Sequence, residues 1–174
     1  HAAVALSELA RNHFANQTAV AQAGGIELLV DLLQGETAEK AKEAAARALW
    51  SFSSKHAKNQ IAIAKAGGLA PLVALLGVGN ADSQETAAGA LASIALDNPS
   101  NENEIATMLI KLLASDDVVI CTKAARAISR LARWAPSNQV AIAKKGGISP
   151  LVRMLTEFQQ ETKSGVTGTG HGTM

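Results

Sequence analysis

A block of roughly forty residues returns along this chain, and no other feature constrains its fold so strongly. The segments HAAVALSELAR, AAARALWSFSS, TAAGALASIAL and KAARAISRLAR superimpose without gaps, which makes Ala2, Ala45, Ala87 and Ala124 equivalent at spacings of 43, 42 and 37. A second string keeps the same beat: NQTAVAQAGGIELLVDLL from Asn16, NQIAIAKAGGLAPLVALL from Asn59 and NQVAIAKKGGISPLVRML from Asn138. One such unit cannot bury its own apolar face, so copies must stack into a solenoid with a continuous core.

Apolar residues recur at helical spacing within each unit, so the expected class is all-α. Asn16 to Ala23 reads as a first helix with Ala19, Val20 and Ala23 on one face, stopped by Gly24 and Gly25. Ile26, Leu29, Val30 and Leu33 mark a second short helix. A third runs from about Thr37 to Ser54 and buries Ala45, Ala48, Leu49 and Phe52, at i, i+3, i+4 and i+7. In the next unit Asp82 and Glu85 have the spacing of a capping box. The third unit is shortened: one helix is expected from about Asn101 to Leu113, capped by Ser100 or Asn101.

Composition suits thin stacked layers. Hydrophobic residues make up 48% of the 174 residues but aromatics only 3%, so the core must consist of Ala, Leu, Ile and Val. Net charge is +1, which gives no general attraction to nucleic acid or membranes. No apolar run approaches the roughly 18 residues of a membrane span. The one cysteine, Cys121, reads as a small buried hydrophobe and suits a reducing compartment, cytosol or nucleus. His1 inside a helical pattern and the closing SGVTGTGHGTM point to a piece of a longer array with a flexible tail over 159–174.

The string N-Q-x-A-x-A-x-x-G-G-[IL]-x-x-L-V-x-[LM]-L, followed by A-A-x-A-[LI]-x-x-[LFI], resembles the armadillo repeat. The resemblance covers residues 1–158. It divides them into the third helix of a preceding repeat (1–12), repeats at 13–55, 56–97 and 98–134, and a partial repeat at 135–158. It implies a right-handed α-solenoid of the kind found in importin-α and β-catenin, with third helices lining a concave groove that holds an extended partner segment. Importin-α-like repeats place a tryptophan directly after the Ala-Ala pair and an asparagine four residues later. The matching positions here are Val4, Arg47, Gly89 and Arg126, then Glu8, Ser51, Ser93 and Arg130. No match survives, which disfavours a nuclear-import-receptor role.

The groove columns themselves carry a different chemistry. Arg126, Arg130, Arg133 and Trp134 share one helical stripe, and Arg47 occupies the Arg126 column two units earlier. Together with Ser51 and Ser93 these residues form the candidate partner-binding face, expected to take an acidic protein or peptide segment. The alternative is that the arginines only decorate a solvated helix while Trp134 packs against its neighbour. Trp50, beside buried Leu49, is expected to pack on the flank that meets the next third helix. His13 and His56 occupy equivalent loop sites and are expected in solvent.

No catalytic constellation, metal-ligand spacing or cofactor motif can be assembled; the glycines at 165, 168, 170 and 172 follow no strand and lack a phosphate-loop ending. The leading reading is a non-enzymatic scaffold or adaptor. Others remain open: the substrate-recognition part of a larger enzyme such as a ubiquitin ligase, or a segment that only extends a longer solenoid, its faces at 1–11 and 138–158 covered by further repeats. Nucleic-acid binding through the arginine stripe is disfavoured by the neutral charge balance and by Glu8 in the same column.

Overall fold

The computed structural model describes residues 1–166, and over them the chain forms eleven helices and no strand. They are α1 (Ala2–Ala10), α2 (Phe14–Gln22), α3 (Gly25–Gln34), α4 (Glu39–Ser53), α5 (Ala57–Lys65), α6 (Leu69–Val78), α7 (Ala81–Ala95), α8 (Pro99–Leu113), α9 (Val118–Trp134), α10 (Pro136–Lys144) and α11 (Ile148–Val166). The alanine-rich helices α1, α4, α7 and α9 stand side by side as one wall, each packed on the next. Helices α2, α3, α5, α6, α8 and α10 pack behind them. The result is a right-handed α-solenoid.

The apolar stripes read from helical spacing form its core. Ala45, Ala48, Leu49 and Phe52 of α4 are fully buried, as are Ala87, Ala90, Leu91 and Ile94 of α7. Each large side chain hidden in this way contributes about 1.5–3 kcal/mol. Alanine at two of every four stripe positions lets the third helices approach closely enough to form a wall. Ile26, Leu29, Val30 and Leu33 of α3 are buried against the same wall, as expected. The first helices differ from expectation. Ala19 and Ala23 are exposed, and α2 instead turns Gln17 inward, with Val20 and Ala21 half-buried.

That inward glutamine explains why Asn-Gln recurs in three units. The asparagine amide donates to the carbonyl seven residues earlier: Asn16 to Leu9 at 2.7 Å, Asn59 to Phe52 at 3.0 Å and Asn138 to Leu131 at 3.3 Å. Asn59 also donates to Gln17 at 3.1 Å, in the preceding unit. The glutamine reaches forward to the next third helix, Gln17 to the Ser51 carbonyl at 2.8 Å and Gln60 to that of Ser93 at 3.0 Å. Gln139 bonds back to Ala132 instead. Buried amides cost free energy when unpaired, so these bonds set the register between units.

The paired glycines divide their labour. Gly24, Gly67 and Gly146 have φ of 77°, 80° and 85°, the left-handed turn between first and second helices. The glycine after each one sits where a Cβ would collide with the helix before it. At Gly25 it would lie 2.4 Å from Val20 Cγ1, and at Gly68 2.8 Å from Ile63 Cγ2.

Several local expectations are corrected. The cap of α7 is Asn80, whose side chain accepts from the Ser83 amide at 2.9 Å, so Asp82 and Glu85 form no capping box. The cap of α8 is Asn98 with Pro99 in the first turn, not Ser100 or Asn101. Asn101 instead repeats the role of Asn59, donating to Ile94 at 3.0 Å and Gln60 at 3.3 Å. Helix α8 is therefore a first helix fused to a second, with the glycine turn removed.

In the last unit α11 runs straight on to Val166 rather than breaking before a third helix. Residues 159–166 thus continue the helix where a tail was expected; residues 167–174, including Gly168, Gly170, His171 and Gly172, lie outside the described residues. With no third helix packed on α11 among the described residues, Ile148, Val152 and Leu155 are 60%, 56% and 67% exposed. Their equivalents Ile26, Val30 and Leu33 are buried. His56 also departs from its expected exposure. It is 2% exposed, its Nδ1 accepts from the Asn59 amide, its Nε2 lies 2.9 Å from Thr18 Oγ1, and its ring stacks on Phe14 at 4.2 Å.

Candidate functional site

The inner wall places the expected site residues in three distinct settings. Ser51 and Ser93 serve the stacking. The Ser51 hydroxyl is 2.9 Å from that of Ser7 on α1, and Ser93 accepts from Ser53 at 2.9 Å. Both are half-buried, and their carbonyls receive the glutamines described above.

The arginines form a graded series. Arg47 pairs with Glu43, one turn earlier on α4, at 2.6 Å. The equivalent glutamate on α7 is Glu85, but its position one turn on is Gly89, which offers no side chain. Glu85 therefore reaches to α9, 2.9 Å from Arg130 and 3.8 Å from Arg133. Arg130 is held with its side chain 19% exposed and its Nε buried without a hydrogen-bond partner. Arg126 is exposed and makes no ion pair among the described residues. The stripe is thus less free than its spacing implies: one of its three arginines is tied down, one is loosely paired and one is open.

The tryptophans meet across two units. The ring of Trp50 lies over Gly89, where an added Cβ would stand 2.5 Å from Cη2. It extends to Trp134 on α9, edge to face, with centroids 5.0 Å apart and planes at 90°. Packing on the next third helix was expected for Trp50; contact with the one beyond was not. Trp134, 40% exposed, stays helical where Asn12, Lys55 and Asp97 adopt positive φ and end their helices.

On the side away from Trp134, Trp50 walls a cleft of ≈ 250 Å³ shared with Arg11, Asn12, Arg47, Ser51 and Ser54. Arg11 is held there by Glu8 at 2.5 Å. Sequence reasoning missed Arg11, Asn12 and Ser54, which lie at the ends of α1 and α4 and match no groove column. Cys121 is buried, its thiol donating to the Ser115 carbonyl at 2.8 Å. No group of three His, Cys, Asp or Glu is arranged to hold a metal among the described residues. No single helix among the described residues is long and apolar enough to cross a membrane; α5 and α6 have the composition together but meet at an 81° bend.

The family model for the Armadillo/beta-catenin-like repeat matches residues 14–54 and 56–96. No curated protein matches the chain. Among solved structures it is similar to an engineered protein, 36% identical with a TM-score of 0.63, covering 89% of this chain and 64% of that one. The chain thus spans less than two thirds of that protein's length. It is similar also to a designed armadillo repeat protein in complex with the peptide (KR)4, 26% identical, TM-score 0.61, covering 89% of this chain and 66% of the other. Computationally designed armadillo repeat proteins for modular peptide recognition match at 26% identity and TM-score 0.58, over 88% and 66%. Matching repeats, their glycine turns and the wall of third helices lead to one conclusion: residues 14–54 and 56–96 are armadillo repeats, within a chain folded as an armadillo-repeat solenoid.

Proposed function

We propose that this chain is a binding scaffold whose inner wall takes an extended, acidic segment of another protein. One observation carries the reading. Stacking consumes the alanine stripes, the glutamines and the serines, yet leaves Arg47 on α4 and Arg126, Arg133 and Trp134 on α9 exposed along one wall, with α7 between them. Contacts spread over successive units are how such elongated surfaces bind. Two similar designed proteins are named for peptide binding or recognition, and one is seen with the basic peptide (KR)4. The opposite charge is expected here, because among the described residues Arg11, Arg47, Arg130 and Arg133 share three carboxylates, Glu8, Glu43 and Glu85, and Arg126 pairs with none. Binding rather than catalysis, in the cytosol or nucleus, completes the proposal.

The test is a titration of the whole chain with synthetic acidic, neutral and basic peptides. Acidic peptides should bind most tightly and lose affinity with rising salt. Reversing Arg126 and Arg133 to Glu should abolish that preference. Equal binding by the reversed variant removes the inner wall as the site.

A further inference from the structure

The cleft beside Trp50 has a chemistry that the general reading does not use. Its walls are one indole and two guanidinium groups, those of Arg11 and Arg47, with Ser51, Ser54 and Asn12 around them. Each guanidinium already has a carboxylate partner close by in the chain, Arg11 with Glu8 and Arg47 with Glu43. Trp50 is fixed as well, because its ring rests over Gly89 and against Trp134. A cleft whose planar groups are all held in place before binding loses little side-chain freedom when filled.

Indole and guanidinium groups favour an aromatic ring over an aliphatic chain. The ring stacks or packs edge-on against the indole, and its face attracts the guanidinium charge. The volume of ≈ 250 Å³ admits one such side chain. Beyond Trp50 and Trp134 lie the least compensated charges of the wall, Arg126 and Arg133 on α9.

We infer that the cleft of Arg11, Arg47 and Trp50 is a pocket for one aromatic side chain of the partner, whose neighbouring carboxylates lie along α9. The inference rests on the peptide-scaffold reading above and adds to it the identity of the anchoring residue. Trp50 and Trp134 are the only tryptophans in the chain, so its intrinsic emission reports on this corner alone.

The experiment uses the whole chain and three short fluorescein-labelled peptides: an acidic one with a central Phe, the same peptide with Ser in place of Phe, and a basic one with Phe. A second, unlabelled set of the same peptides is used to follow tryptophan emission. The acidic Phe peptide should bind about tenfold more tightly than its Ser counterpart, as expected for a buried aromatic anchor. It alone should change the emission. In Trp134→Phe the change should persist, since Trp50 is then the single reporter. Ser54→Phe, chosen to fill the cleft, should erase the advantage of Phe over Ser without altering binding of the Ser peptide, whereas Arg47→Ala should weaken both acidic peptides and narrow the gap between them. Thermal melts of both variants exclude unfolding as the cause.

The outcomes separate the two readings. Equal affinity for the Phe and Ser peptides, with unchanged emission, overturns the aromatic pocket and leaves the scaffold standing. Tightest binding by the basic peptide overturns the pocket and the acidic preference together. No binding by any of the three overturns both readings.

Discussion

Glu85 on α7 lies 2.9 Å from Arg130 on α9, forty-five positions later, because Gly89 leaves it no partner on its own helix. Its equivalent Glu43 has Arg47 one turn on and stays within α4. A single residue, glycine in place of arginine, thus converts a bond within one helix into a bond between units. The same vacancy receives the Trp50 ring.

Removing that bridge should matter more for binding than for folding. Glu85→Gln frees Arg130 and Arg133, yet Glu85 is 48% exposed, so the stability change should stay within about 1 kcal/mol. Affinity for acidic peptides should rise. Urea melts and peptide titrations on the same variant check both halves; a fall in affinity contradicts the assignment.

Gly89→Ala should run against helix propensity. Alanine in a helix interior ordinarily stabilises by roughly 0.5–1 kcal/mol over glycine. Here the added Cβ meets three atoms of the Trp50 ring at 2.5–2.7 Å, so the ring must leave its seat. The single variant should be less stable than the parent and show altered near-ultraviolet dichroism. Adding Trp50→Ala should recover the propensity gain, making the double variant more stable than Gly89→Ala plus the cost of Trp50→Ala alone.

The recurrent asparagines should differ by burial. Asn59→Ala and Asn101→Ala each strand two carbonyls inside the stack and should cost about 1–3 kcal/mol. Asn16, whose bond to Leu9 is solvent-exposed, should cost less than about 1 kcal/mol. Denaturant midpoints for the three alanine variants give the order directly. Equal losses would show that these bonds do not set the register.

Matching motif positions in α3 and α11 should respond in opposite ways. Val30→Lys places a charge where the side chain is 2% exposed, and such unpaired burial should cost more than about 3 kcal/mol. Val152→Lys, at the same motif position but 56% exposed, should stay within about 0.5 kcal/mol. Thermal melts of both variants decide it.

The repeat, the helical stripes and the glycine turns were legible from residues alone because each is a local property. A stripe such as Ala45, Ala48, Leu49 and Phe52 declares its face through spacing along one helix. The Asn-Gln pair was visible as a motif but not as a bond, since Gln17 and Ser51 lie on different helices, thirty-four positions apart, and Asn59 and Gln17 belong to different units. Likewise the arginine column could be drawn, whereas its pairing could not, because Glu85 meets Arg130 only once α7 and α9 stand in contact.

Periodicity thus determined by itself that the chain is a stack of helical units, which faces of α3, α4 and α7 are buried and where the glycine turns fall. Tertiary structure alone decided which charges are cancelled, that Trp50 crosses Gly89 to reach Trp134, and that Arg11 joins a cleft with Arg47. Apolar spacing is written within a few consecutive turns, whereas contacts between units depend on the offset of one slab against the next, which packing and buried amide bonds set together.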